Sequence, residues 1–155
     1  MHASVRGTIY LLIGGMFVFS LDQLCKYYFF EHDHPFAFLG GWIQSVHHQN
    51  YGIAFNLPIP QWLILTITLI ACIGVLVLFV RTRATKQTWL PFFLGLLLGG
   101  ALGNGVDRWS LGFVRDWLLL WHLSAINIAD IGVLAGLLGT VLLSQKALPE
   151  QDAGR

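Results

Sequence analysis

The stretch from Gly99 to Asp130, GGALGNGVDRWSLGFVRDWLLLWHLSAINIAD, decides how this chain is read. It holds Asp107, Arg108, Arg115, Asp116 and Asp130, five of the seventeen Asp, Glu, Lys and Arg residues, between segments that are almost purely apolar. A charged side chain in a membrane segment costs about 2.5–3.5 kcal/mol on insertion scales, so a chain that keeps several uses them on a pathway or in a reaction.

The surroundings bear out the word membrane. Of 155 residues 55% are hydrophobic and only 11% charged, against about 25% charged in typical globular chains. Mean hydropathy is +0.66. The length fits one domain. A net charge of +1, with nine cations scattered among apolar runs, forms no basic stripe and excludes nucleic acid as an expected partner. Cys25 and Cys72 fall in different apolar segments without CxxC spacing. They read as small buried thiols, not as a disulfide framework or zinc site.

A helix needs about 20 apolar residues to cross the hydrocarbon core, and four stretches are marked as spans: about 7–29, 62–80, 89–116 and 127–143. The first keeps its apolar character past Asp22 and Lys26 and has no A-x-A cleavage site, so it reads as a retained helix, not a signal peptide. The second has no charge. The third tolerates Pro91 in its first turn and stays helix-compatible to about Asp116. The fourth runs from about Asn127 to Leu143, before Pro149 and a polar tail.

Cytoplasmic loops collect Lys and Arg. Arg6, Arg81, Arg83, Lys86, Lys146 and Arg155, six of nine cations, mark one side, while the 30–61 connector has none. Both termini are therefore expected inside, with the connector and the 117–126 segment outside and the charged cluster near the outer interface. Pro35, Gly40, Gly41, Gly52, Pro58 and Pro60 punctuate the connector. Between the glycines, WIQSVHHQNYGIAF is rich in aromatic and β-branched residues, which predicts two or three short strands resting on the membrane face. Trp42, Tyr51, Phe55 and Trp62 suit an interfacial aromatic belt.

On the third helix Gly100, Asn104, Arg108, Gly112 and Asp116 recur every four residues, which puts them on one slowly drifting stripe. Gly95, Gly99 and Gly103, and Gly132 and Gly136 on the fourth helix, repeat at the spacing that lets membrane helices approach closely. Asn127 and Asp130, three apart, project to one side of the fourth helix, and Asn127 also suits its cap. Asp116 and Asp130 can then meet from two helices. Two carboxylates a few Å apart in a weakly polar site share one proton over a wide pH range. One can take a proton from water while the other protonates the carbonyl oxygen or leaving amine. Such a pair hydrolyses without metal or covalent intermediate.

Other catalysts fit less well. Ser20, Ser45 and Ser110 have no histidine at a suggestive spacing. His32, His34, His47 and His48 with Glu31 or Asp33 could hold a metal, but loop histidines are more simply solvated. Asp22 and Lys26 are an i,i+4 pair, either a helix-end ion pair or a substrate contact. Asp107 and Arg108 read as a structural clamp.

Four blocks of this sequence resemble the lipoprotein signal peptidase (signal peptidase II) family. They are LDQLCKYYF at 21–29, NYGIAFNL at 50–57, GGALGNGVDRWSLGFVRDW at 99–117 and INIAD at 126–130, in family order. The resemblance implies that Asp116 and Asp130 are a catalytic pair, that Asn50 and Gly52 belong to an outer cradle beside the substrate, and that Asn104, Arg108 and Asn127 line or brace the site. Asp22 and Lys26 match supporting positions, and Asp107 belongs to the same block as Asn104 and Arg108. It further implies cleavage of a diacylglyceryl-modified prolipoprotein just before the lipidated cysteine. Trp117 stands where the family usually has phenylalanine, Ile126 where it usually has an aromatic, and the segment between the two aspartates is short. These departures are expected to reshape the outer rim.

The expected fold is an all-α polytopic membrane protein of four transmembrane helices with a small β-sheet on the periplasmic face, in the bacterial inner membrane. The expected activity is that of an aspartic endopeptidase, monomeric, in contact with membrane lipid, without cofactor or metal. A proton-coupled transporter or channel subunit is the rival reading. It would need the polar stripe to cross the membrane, yet the inner halves of the spans carry glycine and aliphatic residues. A non-enzymatic chaperone for lipid-anchored precursors is a third.

Overall fold

Long apolar runs form helices here by burying little and exposing much. A computed structural model of the chain describes residues 2–145 except 33, 54–56, 58 and 83–86. The expectations at Asp33, Phe55, Arg83 and Lys86, and those in the tail from Lys146, lie outside the described residues. In chain order come α1 (His2–Cys25), continued by a π-helical turn at Lys26–Glu31, β1 (Ala37–Phe38), β2 (Ile43–Asn50) and α2 (Gln61–Thr82). Then follow α3 (Leu90–Leu111), β3 (Val114–Leu120), β4 (Ser124–Ile126) and α4 (Ile128–Gln145). Val5–Glu31, Gln61–Thr82 and Leu90–Leu111 are long and apolar enough to cross a membrane by length and composition, and Ile128–Ser144 is a shorter apolar helix.

The arrangement inverts that of a water-soluble protein. Met16, Phe17, Ile70, Leu134 and Leu142 are more than half exposed, whereas Asp22, Lys26 and Asp107 have no exposed surface. α3 is the centre of the bundle, packed against α1 and α4 and more lightly against α2. Glycine makes the close packing possible. A Cβ on Gly99 would run into the Gly15 carbonyl oxygen, one on Gly100 would fall 2.5 Å from the Ala129 carbonyl oxygen, and one on Gly136 2.7 Å from that of Phe93.

Two readings of the sequence are corrected. α3 ends at Leu111, not near Asp116: Gly112 turns left-handed at φ 80°, and its N–H caps the Arg108 carbonyl at 3.2 Å. Asp116 therefore lies on a strand, outside the polar stripe of α3. The strands are not confined to the 30–61 connector either. A four-stranded antiparallel sheet, ordered β1-β2-β3-β4, takes two strands from that connector and two from the segment between α3 and α4. In its register His48 faces Asp116 and Asn50 faces Val114, with an irregularity between Ser45 and His48.

Candidate active site

The start of α4 builds the first half of the site. Asn127 precedes the helix, and its Oδ1 accepts the Asp130 N–H at 3.0 Å while Asp130 Oδ2 accepts the Asn127 N–H at 3.2 Å. This is a reciprocal capping box with aspartate in the place of glutamate. Capping uses the oxygen of the Asn127 side chain and frees its amide nitrogen. That nitrogen donates to Asp116 Oδ1 at 2.6 Å and to Asn104 Oδ1 at 3.0 Å. One wholly buried asparagine thus touches both carboxylates.

β3 supplies the second half. Asn50, at the end of β2, donates from Nδ2 to Asp116 Oδ2 at 2.9 Å. Its own Oδ1 accepts the Gly52 N–H at 3.1 Å, which turns the chain sharply after the strand. Asp116 is 1% exposed. Burial, with the neighbouring Asp130 charge, pushes its carboxyl up from an ordinary 3.8 to about 7, against the amide bonds from Asn50 and Asn127 that favour the charged form. Asp130 is held by Asn104, whose Nδ2 donates to Oδ1 at 2.8 Å.

Behind the carboxylates lies a network of buried charge. Lys26 Nζ sits 2.7 Å from Asp22 Oδ2, 3.0 Å from Asp107 Oδ2 and 3.1 Å from Asn104 Oδ1. Asp22 Oδ1 also accepts the Ala129 N–H at 2.9 Å, tying α1 to the first turn of α4. The Asp22–Lys26 pair is therefore internal to the protein. Asp107 does not clamp Arg108. Its partners are Lys26 and Arg115, whose Nη2 is 2.7 Å from Asp107 Oδ1. Sequence reasoning assigned no role to Arg115 or Gln23 and considered Glu31 only as a metal ligand, and the structure joins all three: Arg115 also bonds Gln23 Oε1 at 2.9 Å and the Glu31 carboxylate.

Arg108 faces the other way. Its Nη2 donates to the Gly52 carbonyl at 3.0 Å, and its buried Nε has no partner among the described residues. With Asn50, Asn104 and Asp130 it lines a cleft of about 520 Å³ whose apolar walls come from α2 and α4, a size suited to a bound ligand. Ile126 is on that wall, but Trp117 is not. Strand alternation turns Trp117 away from Asp116, and it stacks on Phe29 with ring centroids 4.4 Å apart.

The outer histidines stay apart. His32 is 2.9 Å from the Tyr27 carbonyl, His34 stacks on Tyr28, and His47 meets the Phe30 carbonyl. Among the described residues no three His, Cys, Asp or Glu side chains come together as a metal site. The candidate site is the carboxylate pair with its asparagine frame.

Known proteins of similar sequence and fold surround this site. A family model described as Signal peptidase (SPase) II matches residues 15–146. Among curated relatives, lipoprotein signal peptidase of Moorella thermoacetica is 30% identical over 148 residues, covering 93% of this chain and 97% of that protein. That of Pseudoalteromonas atlantica is 32% identical over 130 residues, covering 77% of this chain and 79% of its own length. A solved bacterial membrane enzyme shares the fold with a TM-score of 0.75 at 22% identity, over 94% of this chain and 93% of its own. With the match running from the middle of α1 to the end of α4, the chain belongs to the signal peptidase II family.

Proposed function

We propose that this protein is an intramembrane aspartic endopeptidase that removes signal peptides from diacylglyceryl-modified prolipoproteins, cleaving just before the lipidated cysteine. The observation that carries the reading is the bridging of Asp116 and Asp130 by Asn127, beside a cleft with apolar walls. The names of the relatives supply the substrate class. All four helices cross the bacterial inner membrane, with both termini in the cytoplasm and the sheet and active site at the periplasmic face. α4, at 18 residues, spans about 27 Å at 1.5 Å per residue, close to the thickness of the hydrocarbon core. The protein acts as a monomer.

The chemistry follows from the two environments. Asp116, with its carboxyl raised to about 7, carries the proton of the pair. Asp130 takes a proton from a water molecule as its oxygen attacks the scissile carbonyl, and Asp116 gives its proton to the carbonyl oxygen. The tetrahedral diol then collapses. Asp130 passes its proton to the departing amine, Asp116 recovers one from a diol hydroxyl, and the peptide bond breaks with no covalent intermediate. Asn104, Asn127 and Asn50 orient the two carboxylates. Arg108 and Gly52 brace the mouth of the cleft, while Asp22, Lys26 and Asp107 support the site from behind. Partitioning of the lipidated precursor into the bilayer brings its cysteine to the right depth before docking.

The test is incubation of the protein in liposomes with a diacylglyceryl-modified precursor, followed by mass analysis of the product. A product beginning at the lipidated cysteine is expected from the wild type and none from Asp116→Asn or Asp130→Asn. Full cleavage by either variant would remove the pair from the mechanism.

A further inference from the structure

We propose that Arg115 is a positioning residue for the carboxylate pair: it fixes the strand that carries Asp116 and, through Asp107, Lys26 and Asn104, the amide that orients Asp130. The inference rests on the assignment of Asp116 and Asp130 as the catalytic pair.

Neighbours on a strand face opposite sides. Val114 lines the cleft, while Arg115 and Trp117, on either side of Asp116, turn to the end of α1, where they meet Glu31 and Phe29. Arg115 is held at both ends. Its backbone N–H donates to Asp107 Oδ2 at 3.0 Å and its Nη2 to Asp107 Oδ1 at 2.7 Å. One buried carboxylate therefore fixes both the main chain and the side chain of the residue before Asp116. The side chain is only 10% exposed, and its two terminal nitrogens also reach Gln23 and Glu31, while the buried Nε has no partner among the described residues.

The second branch runs through charge. Asp107 Oδ2 lies 3.0 Å from Lys26 Nζ, and Lys26 lies 3.1 Å from Asn104 Oδ1. An ammonium has only donors, so it admits the oxygen of the Asn104 amide and rejects the nitrogen. That choice of face leaves Nδ2 directed at Asp130 Oδ1, 2.8 Å away. Arg115 shares Asp107 with Lys26. Without Arg115 the carboxylate has one cation left, and Lys26 is drawn from Asn104 toward Asp107. The Asn104 oxygen then keeps only the Asn127 amide of its two donors, and the donor to Asp130 is held less firmly. A merely stabilising ion pair is replaceable by apolar groups of similar shape. This one sets an orientation that apolar groups cannot set.

The experiment compares Arg115→Met and Arg115→Lys with wild type in liposomes, with Asp116→Asn as the reference for lost catalysis. Retention of cleavage by Asp116→Asn would defeat the assignment of the pair itself, independently of Arg115. With that reference inactive, Arg115→Met is expected to lower kcat by about 10- to 100-fold, the scale of an ångström-sized misplacement, with KM for the lipidated precursor within about two-fold. Its pH–rate profile should move to higher pH, because a cation near the pair is gone. The groups that face the pair are otherwise unchanged: Asp22, Lys26 and Glu31 at the end of α1, Asp107 and Arg108 on α3, and His48 opposite Asp116 on β2. Arg115→Lys keeps the charge but cannot span all its partners, so kcat should recover in part and the pH profile almost fully. A folded Arg115→Met with wild-type kcat and pH profile overturns the proposal, as does a change confined to KM. Should Arg115→Met fail to accumulate, Arg115→Lys decides: reduced kcat at unchanged KM and melting temperature supports positioning, and wild-type kcat refutes it.

Discussion

At the scale of a residue, the role proposed for Asp116 sets reaction against stability. It is buried on β3, and its carboxyl is raised from 3.8 to about 7 by burial and by Asp130. A carboxyl whose pKa is higher folded than unfolded favours folding below the unfolded value, and that contribution is lost as pH rises from about 4 through 7. Three pK units correspond to up to about 4 kcal/mol, offset by about 1 kcal/mol when one amide, of Asn50 or Asn127, loses its carboxylate acceptor. Asp116→Asn should thus melt at a higher temperature than wild type at pH 8 and near the same temperature at pH 4. A variant that melts lower at pH 8 would show that the pair is not electrostatically strained. Asp116 and Asp130 were legible because carboxylates are rare in so apolar a chain. The partner of Asp107 was misread because adjacent helical residues point about 100° apart, so Asp107 and Arg108 cannot face each other. Arg115 was not legible at all: its partners Glu31 and Gln23 lie 84 and 92 residues away in sequence.

At the scale of an element, the helices were legible and their ends were not. Length and apolar content give four helices without any knowledge of their neighbours. The four-residue recurrence through Gly112 to Asp116, however, continues a pattern past the place where the backbone breaks it. Gly112 followed by alternation in FVRDW was the contrary signal, a left-handed cap leading into a strand. Half of the sheet was missed for a related reason: LLLWHL, the end of β3 and the turn before β4, is too apolar to stand out as strand and turn, and pairing across to β2 is non-local. Gly112 isolates the backbone cause, because a Cβ there meets nothing within 4 Å. Gly112→Ala therefore costs only the left-handed conformation, about 1–2 kcal/mol. Gly112→Asn, which tolerates that conformation, should recover most of it. Melting curves in detergent that rank Asn below Ala would place the strain elsewhere.

At the scale of the whole molecule, charge is gathered inward and apolar surface outward, and the inward side opens between α2 and α4. Both helices lend side chains to the cleft that holds Asn104, Arg108 and Asp130, Ile67 and Ala71 from α2 and Leu134 and Leu137 from α4, while α2 packs only lightly on the bundle. The proposed substrate, with its acyl chains already in the bilayer, would reach the carboxylates sideways through such a gap without leaving lipid. Ala71 is exposed and on the wall of the cleft, so a larger side chain there fills the passage without compressing a core. Ala71→Trp is expected to lower kcat/KM for the lipidated precursor by about ten-fold or more, equivalent to at least about 1.4 kcal/mol, mostly through KM, with the melting temperature unchanged. Leu69→Trp is the matched control, because Leu69 is 61% exposed and outside the cleft. The same bulk on that lipid-facing side should leave cleavage intact. Equal kinetics for the two variants would mean that the substrate reaches Asp116 and Asp130 by a path other than the opening between α2 and α4.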